Sequence, residues 1–157
     1  MGAIVLTLGA AASSLAGPPD ADADAVRKTL SDLARAFERN DRPALERVWA
    51  DDDSVLVFEN GHVNVGWADY RDNHLLPEMA AMKNTTFVLE DVRPHVVGTS
   101  AWVTLKYALS ADAAGRRVEG TGLATVVLEK RRGAWLIVHW HSSNPRRPPA
   151  SAHPPKE

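Results

Sequence analysis

Apolar residues recur along this chain first with a helical period and then with the alternation of strands. Val26, Leu30, Leu33, Ala34 and Phe37 fall at spacings of four, three, one and three residues, which places them on one face of a helix whose first turn Asp22 or Asp24 can cap. Asn40-Asp41 ends that helix. Pro43, at a favoured first helical position, opens a second, shorter one that buries Leu45, Val48 and Trp49. After Asp51-Asp52-Asp53, residues 54–59 read as a strand, Asn60-Gly61 as a tight turn and 62–65 as the hairpin partner. A third helix is predicted over 67–82. Leu75, Met79 and Met82 form its apolar stripe, Pro77 is a point where it can kink, and Trp67, Tyr70, Arg71, His74 and Glu78 form a second stripe beside the first. The remainder alternates as four strands, 86–97, 101–110, 117–130 and 135–142, joined by links short enough for antiparallel hairpins. Helices followed by a run of strands predict an α+β domain.

Length and composition narrow the class. The 157 residues suffice for one core, and 45% apolar with 24% charged residues is ordinary globular usage. Eighteen basic against 20 acidic residues leave a formal charge of −2 with no basic stripe, which argues against a nucleic-acid partner. With no cysteine, disulfides, thiolate metal sites and cysteine nucleophiles are excluded. The chain also has no Gly-rich phosphate loop, no serine nucleophile elbow and no dinucleotide fingerprint, which disfavours phosphoryl transfer, α/β-type hydrolysis and nicotinamide chemistry.

The ends are set apart from the body. Residues 3–12 are small and apolar, too short to span a bilayer, and are followed by Ser14 and Ala16 at a spacing suited to signal cleavage. Residues 1–21 are therefore read as a signal-like leader and linker. The expectation is export to the periplasm or beyond, or a cytoplasmic location if the segment, which carries no Lys or Arg, is a plain tail. Residues 145–157 hold five of the ten prolines and no branched aliphatic residue, so they read as a disordered tail, leaving 22–144 as the domain.

The final strand, Trp135-Leu136-Ile137-Val138-His139-Trp140-His141-Ser142-Ser143, resembles the ending of SnoaL-like proteins and of the association domain of calcium/calmodulin-dependent protein kinase, both of the nuclear-transport-factor-2-like superfamily. The element order matches over about 22–144. The resemblance implies a cone-shaped fold, a strongly curved antiparallel sheet wrapped around helices, often dimerising through the sheet. It leaves function open, because that fold serves isomerases, cyclases, dehydratases, hubs and binding-only domains.

Candidate chemistry rests on a few residues. His139 and His141, two apart on a strand, emerge on one face, where two imidazoles can act as acid and base or ligate a metal. His74 on the third helix, with Tyr70, Arg71 and Glu78 a turn away, is the residue that could join them. His74, His139 and His141, with Glu59 or Glu78 as an anionic fourth group, would suit a divalent metal such as zinc or copper. The predicted ligand-lining set is Glu59, Trp67, Tyr70, His74, His139 and His141. Trp49, Trp102 and Trp135 are assigned to packing, His62 and His95 to solvent, and Arg71 and Arg93 to the surface unless a carboxylate ligand draws them inward. Asp51-Asp52-Asp53 lacks the alternating spacing of a calcium loop. Three readings follow: a small-molecule or metal-binding domain with a histidine-lined pocket; a lyase or isomerase moving a proton on a carbonyl-containing substrate, with His139 and His141 catalytic; or a homodimeric interaction hub.

Overall fold

A computed structural model describes residues 19–144, so the leader up to residue 18 and the Pro-rich tail lie outside the described residues. The long first helix, α1 (Pro19–Glu38), starts at a proline whose missing N–H costs nothing in a first turn. Val26, Leu30, Leu33 and Ala36 are its buried stripe. Asp22 is not a cap. It lies buried inside the first turn and accepts from Lys130 Nζ at 2.6 Å and from Trp135 Nε1 at 3.2 Å, fixing α1 to the sheet. Asp41 caps α2 (Arg42–Glu46), accepting from the Ala44 N–H at 3.0 Å.

The strands are β1 (Leu56–Glu59), β2 (His62–Val65), β3 (Met82–Val97), β4 (Ser100–Ala113), β5 (Arg116–Arg131) and β6 (Ala134–Ser143), in a single sheet of order β2-β1-β6-β5-β4-β3. All neighbours are antiparallel except β1 and β6, which run parallel. The sheet curves around α1 and the helical segments and does not close. Val57, Val103, Val126, Leu128 and Ile137 supply the inner face of the core.

Between the hairpin and the meander the chain forms α3 (Trp67–Tyr70), a π-helical turn (Arg71–Leu75) and α4 (Leu76–Ala81) instead of one helix over 67–82. Pro77 has no N–H to continue an α-helical ladder, and just ahead of it the Leu76 N–H bonds to the Arg71 carbonyl, five residues back. Among the described residues no helix is long and apolar enough to cross a membrane.

One irregularity decides which side chains enter the cone. Leu128 pairs with Ile137 but Val127 pairs with His139, so Val138 is an extra residue in β6. On the near side of this bulge Trp135 and Ile137 point inward. Beyond it the parity is reversed, and Trp140 and Ser142 are buried in their place.

Gly122 shows how tightly the inner face is filled. A Cβ there would meet Tyr107 Oη at 2.6 Å and Cε1 at 2.7 Å, and would lie closer still to the Ser143 carbonyl oxygen. Gly122→Ala is expected to lower stability by about 1–3 kcal/mol in urea unfolding. Gly120→Ala, where nothing lies within 4 Å, should stay within ~0.5 kcal/mol of the parent. Equal stabilities would mean that Tyr107 is free to swing away.

Candidate active site

The inner face of the sheet and the helical segments enclose one narrow slot lined by Glu59, Tyr70, Glu78, Phe87, Tyr107 and Trp140, with Leu33, Phe37, Trp49, Leu75 and Leu109 completing its walls. It encloses about 50 Å³, widening to about 500 Å³ when the space at its open mouth is counted. Each polar group enters by strand or helix parity. Glu59 follows Val57 on the inward side of β1, Ser142 follows Trp140 on β6, Tyr107 follows Leu105 on β4, and Tyr70, His74 and Glu78 descend one side of the helical segments.

His74, in the π-helical turn, is held from behind. Asp69 accepts hydrogen bonds from Asn73 Nδ2 (2.8 Å), Asn64 Nδ2 (3.0 Å) and the Val65 N–H (3.1 Å), and those donors hold its carboxyl below the usual range. An ionised Asp69 can only accept, so the Asn64 amide nitrogen must face it and the Asn64 oxygen must face His74. His74 Nδ1 lies 2.9 Å from Asn64 Oδ1 and therefore carries a proton that it donates. The other ring nitrogen, Nε2, lies 3.6 Å from Glu59 Oε2, and Ser142 Oγ donates to Glu59 Oε1 at 3.2 Å. Asp69, Asn64, His74 and Glu59 thus form a relay leading from the surface to the slot.

Glu78 is the opposite case. Burial first, and the negative charge of Glu59 second, push its carboxyl from 4.5 up to about 7. The same two causes, in the same order, push the Tyr70 phenol well above 10, with Glu78 adding to them. Tyr107, raised by burial and by Glu59, donates from Oη to Asn144 Oδ1, and Asn144 in turn donates to Asn60 at the β1–β2 turn (2.8 Å).

Of the residues predicted from sequence, Glu59, Tyr70, His74 and Glu78 come together. His139 and His141 do not join them, because the Val138 bulge turns both onto the outer face of the sheet. There His139 Nδ1 meets the Leu56 carbonyl at 2.7 Å, and both rings pack edge-on against Phe58. The proposed metal set of His74, His139 and His141 is thereby divided between two faces, and among the described residues no group of three or more His, Asp or Glu is arranged to hold a metal ion. Trp67 is buried beneath the slot's wall, stacked on Trp49 at 5.6 Å, and does not line the slot. Arg71 forms a two-pronged ion pair with its neighbour Asp72, and Arg93 is exposed on the outer face. Sequence reasoning missed Asn64, Asp69, Tyr107 and Ser142. Tyr107 and Ser142 follow from strand parity once the bulge is known, whereas nothing local marks Asn64 and Asp69 as partners of His74.

A model of the SnoaL-like domain matches residues 26–147, most of the chain. The chain belongs to the SnoaL-like domain family. No curated protein matches it in sequence. Among solved structures, this SnoaL-like domain is similar to a nuclear transport factor 2-like superfamily protein from Salmonella enterica, at 17% identity and a TM-score of 0.77 over 85% of this chain and 98% of the other. It is also similar to a candidate dehydratase of that family from Streptomyces avermitilis, at 24% identity and a TM-score of 0.71 over 81% and 98%. A third is a hexachlorocyclohexane dehydrochlorinase, LinA type 2, at 17% identity and a TM-score of 0.68 over 87% and 94%. At such identities the likeness establishes the fold.

Glu78 gives the SnoaL-like domain a pH dependence of definite sign. Its folded-state carboxyl releases its proton near 7 and the unfolded one near 4.5, so between those values the folded state holds the extra proton. Stability from this group is full below 4.5 and is lost as pH rises through 7, by about 3 kcal/mol. Urea unfolding at pH 5 and 8 should show that loss in the parent and not in Glu78→Gln. Parallel pH profiles would show that Glu78 is ionised in the fold throughout.

Proposed function

We propose that this SnoaL-like domain binds a small, largely apolar molecule carrying a carbonyl group and shifts a proton on the carbon beside it. The observation that carries the reading is the facing of two acid–base units of opposite character across one apolar slot: the Glu59–His74 dyad, fed by Asn64 and Asp69, and Glu78, protonated up to about 7. Glu59 takes the proton from carbon, the electron pair of that C–H bond forms a C=C bond, and the carbonyl oxygen receives the proton of Glu78, giving an enol. Returning a proton to the same carbon, or to the far end of the chain where the enol is conjugated to a second C=C bond, restores Glu59, and Glu78 recovers its own from the enol oxygen. The names carried by the similar dehydratase and dehydrochlorinase structures support acid–base chemistry on this fold. His74, Asn64 and Asp69 are positioning residues in this scheme.

Exchange of α-hydrogens for deuterium in a panel of small cyclic ketones, followed by proton NMR, tests it. The parent should accelerate exchange, Glu59→Gln should lower the rate by ~10²-fold or more, and the rate should fall above pH 7 as Glu78 ionises. Ketones that bind without exchanging would reduce the domain to a binding protein.

A second copy of the chain is the partner we propose for the outer face of the sheet. Val65, Leu56, His139, Val127, Trp102 and His95 form one cross-strand row there, with Val63, Phe58 and His141 in the next. Val63, Val65 and Leu123 are each about 60% exposed, a large apolar area to leave in water. Sedimentation velocity should give a dimer for the parent and a monomer for Trp102→Glu/Leu123→Glu, and a monomeric parent would remove this partner.

A further inference from the structure

Trp49 carries the one buried side-chain polar atom that, among the described residues, has no hydrogen-bond partner. The residue follows α2, is 2% exposed and lines the slot that Glu59 and Glu78 face. Its ring cannot turn to seek an acceptor elsewhere. Trp67 stacks on it at 5.6 Å with an interplanar angle of 17°, Tyr70 packs against it at 5.0 Å, and its backbone is pinned where Trp49 bridges Ile137. An indole N–H can only donate, and native folds rarely leave a buried donor unpaired because the desolvation of that group is then uncompensated. Trp135, buried to a similar degree, does pair its indole, donating to Asp22.

We propose that the indole N–H of Trp49 is the hydrogen-bond donor that selects an acceptor oxygen on the ligand of this slot, so that a carbonyl compound is preferred over a hydrocarbon of the same shape. The inference rests on the slot being a ligand site, as proposed above, and adds the group that reads the ligand's oxygen. The chemistry gives the preference its direction. A hydrocarbon fills the same space but leaves the donor unpaired, whereas a ketone oxygen pairs it, and a site whose buried polar group is left without a partner rejects the poorer analogue more strongly than one that merely loses apolar contact. Trp49 also differs in kind from the proton-moving groups. Its N–H does not titrate, so it can hold an oxygen in place at any pH at which the domain folds.

The test uses cyclopentanone and cyclopentane as matched probes on the full chain with 15N-labelled tryptophan. The Trp49 indole resonance is assigned in the parent from its proximity to the Trp67 and Tyr70 rings that pack against it. Cyclopentanone should move that resonance downfield and cyclopentane should not, and the ketone should bind at least ~10-fold more tightly than the hydrocarbon, a preference that Trp49→Phe abolishes. Should the variant fail to fold, the two titrations of the parent decide the matter alone. If both probes bind with equal affinity and the Trp49 resonance stays still, this inference falls and the slot remains a ligand site. If neither probe shifts any resonance of the slot's aromatic rings at millimolar concentration, both readings fall together.

Discussion

Strand β6 has to serve two neighbours that ask for opposite parities. Its first half must send Trp135 and Ile137 inward, where Asp22 and Trp49 meet them, and its second half must send Trp140 and Ser142 inward, where they wall the slot and hold Glu59. A regular strand cannot do both, because residues 135 and 137 share a face with 139 and 141. The extra residue at Val138 resolves the conflict by inserting one position between the two halves. The inward Trp140 and Ser142 and the outward His139 and His141 all follow from that insertion.

The slot then balances two electrostatic demands. A carboxyl kept protonated near neutral pH needs dry surroundings, and the rings of Phe37, Phe87, Tyr70 and Trp140 provide them around Glu78. An ionised relay needs donors, and these sit at the rim, where Asn64, Asn73 and the Val65 N–H converge on Asp69. The π-helical turn lies where the two zones meet. By widening the helix at 71–75 it sets His74 between Asn64 and Glu59 while Tyr70 and Glu78 stay on the dry side. Each demand alone is ordinary. Their adjacency, with a charged Glu59 raising its neighbour's proton affinity, is what gives one small cavity both a base and an acid.

Much of this architecture could be read from residue order. The 3.6-residue stripe of α1, the Asn60-Gly61 turn and the alternation in 86–142 locate nearly every element, and the second stripe on the third helical segment picked out Tyr70, His74 and Glu78 because large polar residues recurred beside an apolar face. Three features were not legible. A bulge is a property of pairing between strands, and Val138 looks like any other β-branched residue in a strand, so the sequence parity pointed His139 and His141 the wrong way. The Asn64–Asp69–His74 relay joins residues from a strand and two turns of helix through side-chain bonds that carry no periodic signal. Trp49, assigned to packing by its place on a short helix, is packed on one side and polar at its edge, a division that only the surrounding contacts reveal.

The narrowness of the slot constrains how a ligand enters. Its sheet wall is a hydrogen-bonded backbone, and the end of α1 is tied to β3 by the Phe87 N–H donating to Glu38 Oε1 at 2.8 Å, so prising the helix from the sheet would break a part-buried hydrogen bond. The softer boundary is the pair of rings Phe37 and Phe87, half-buried and tilted against each other at 5.3 Å. Turning side chains costs less than parting backbones, because rotamer changes leave the hydrogen-bonded frame intact. Entry through this pair would deliver a ligand to Tyr107, Glu78 and Trp49 while leaving the Asp69–Asn64–His74 relay undisturbed at the other side. The groups that can turn and the groups that must hold their geometry are thus separated within a single cavity, which allows an open-mouthed, mostly apolar slot to stay pre-organised.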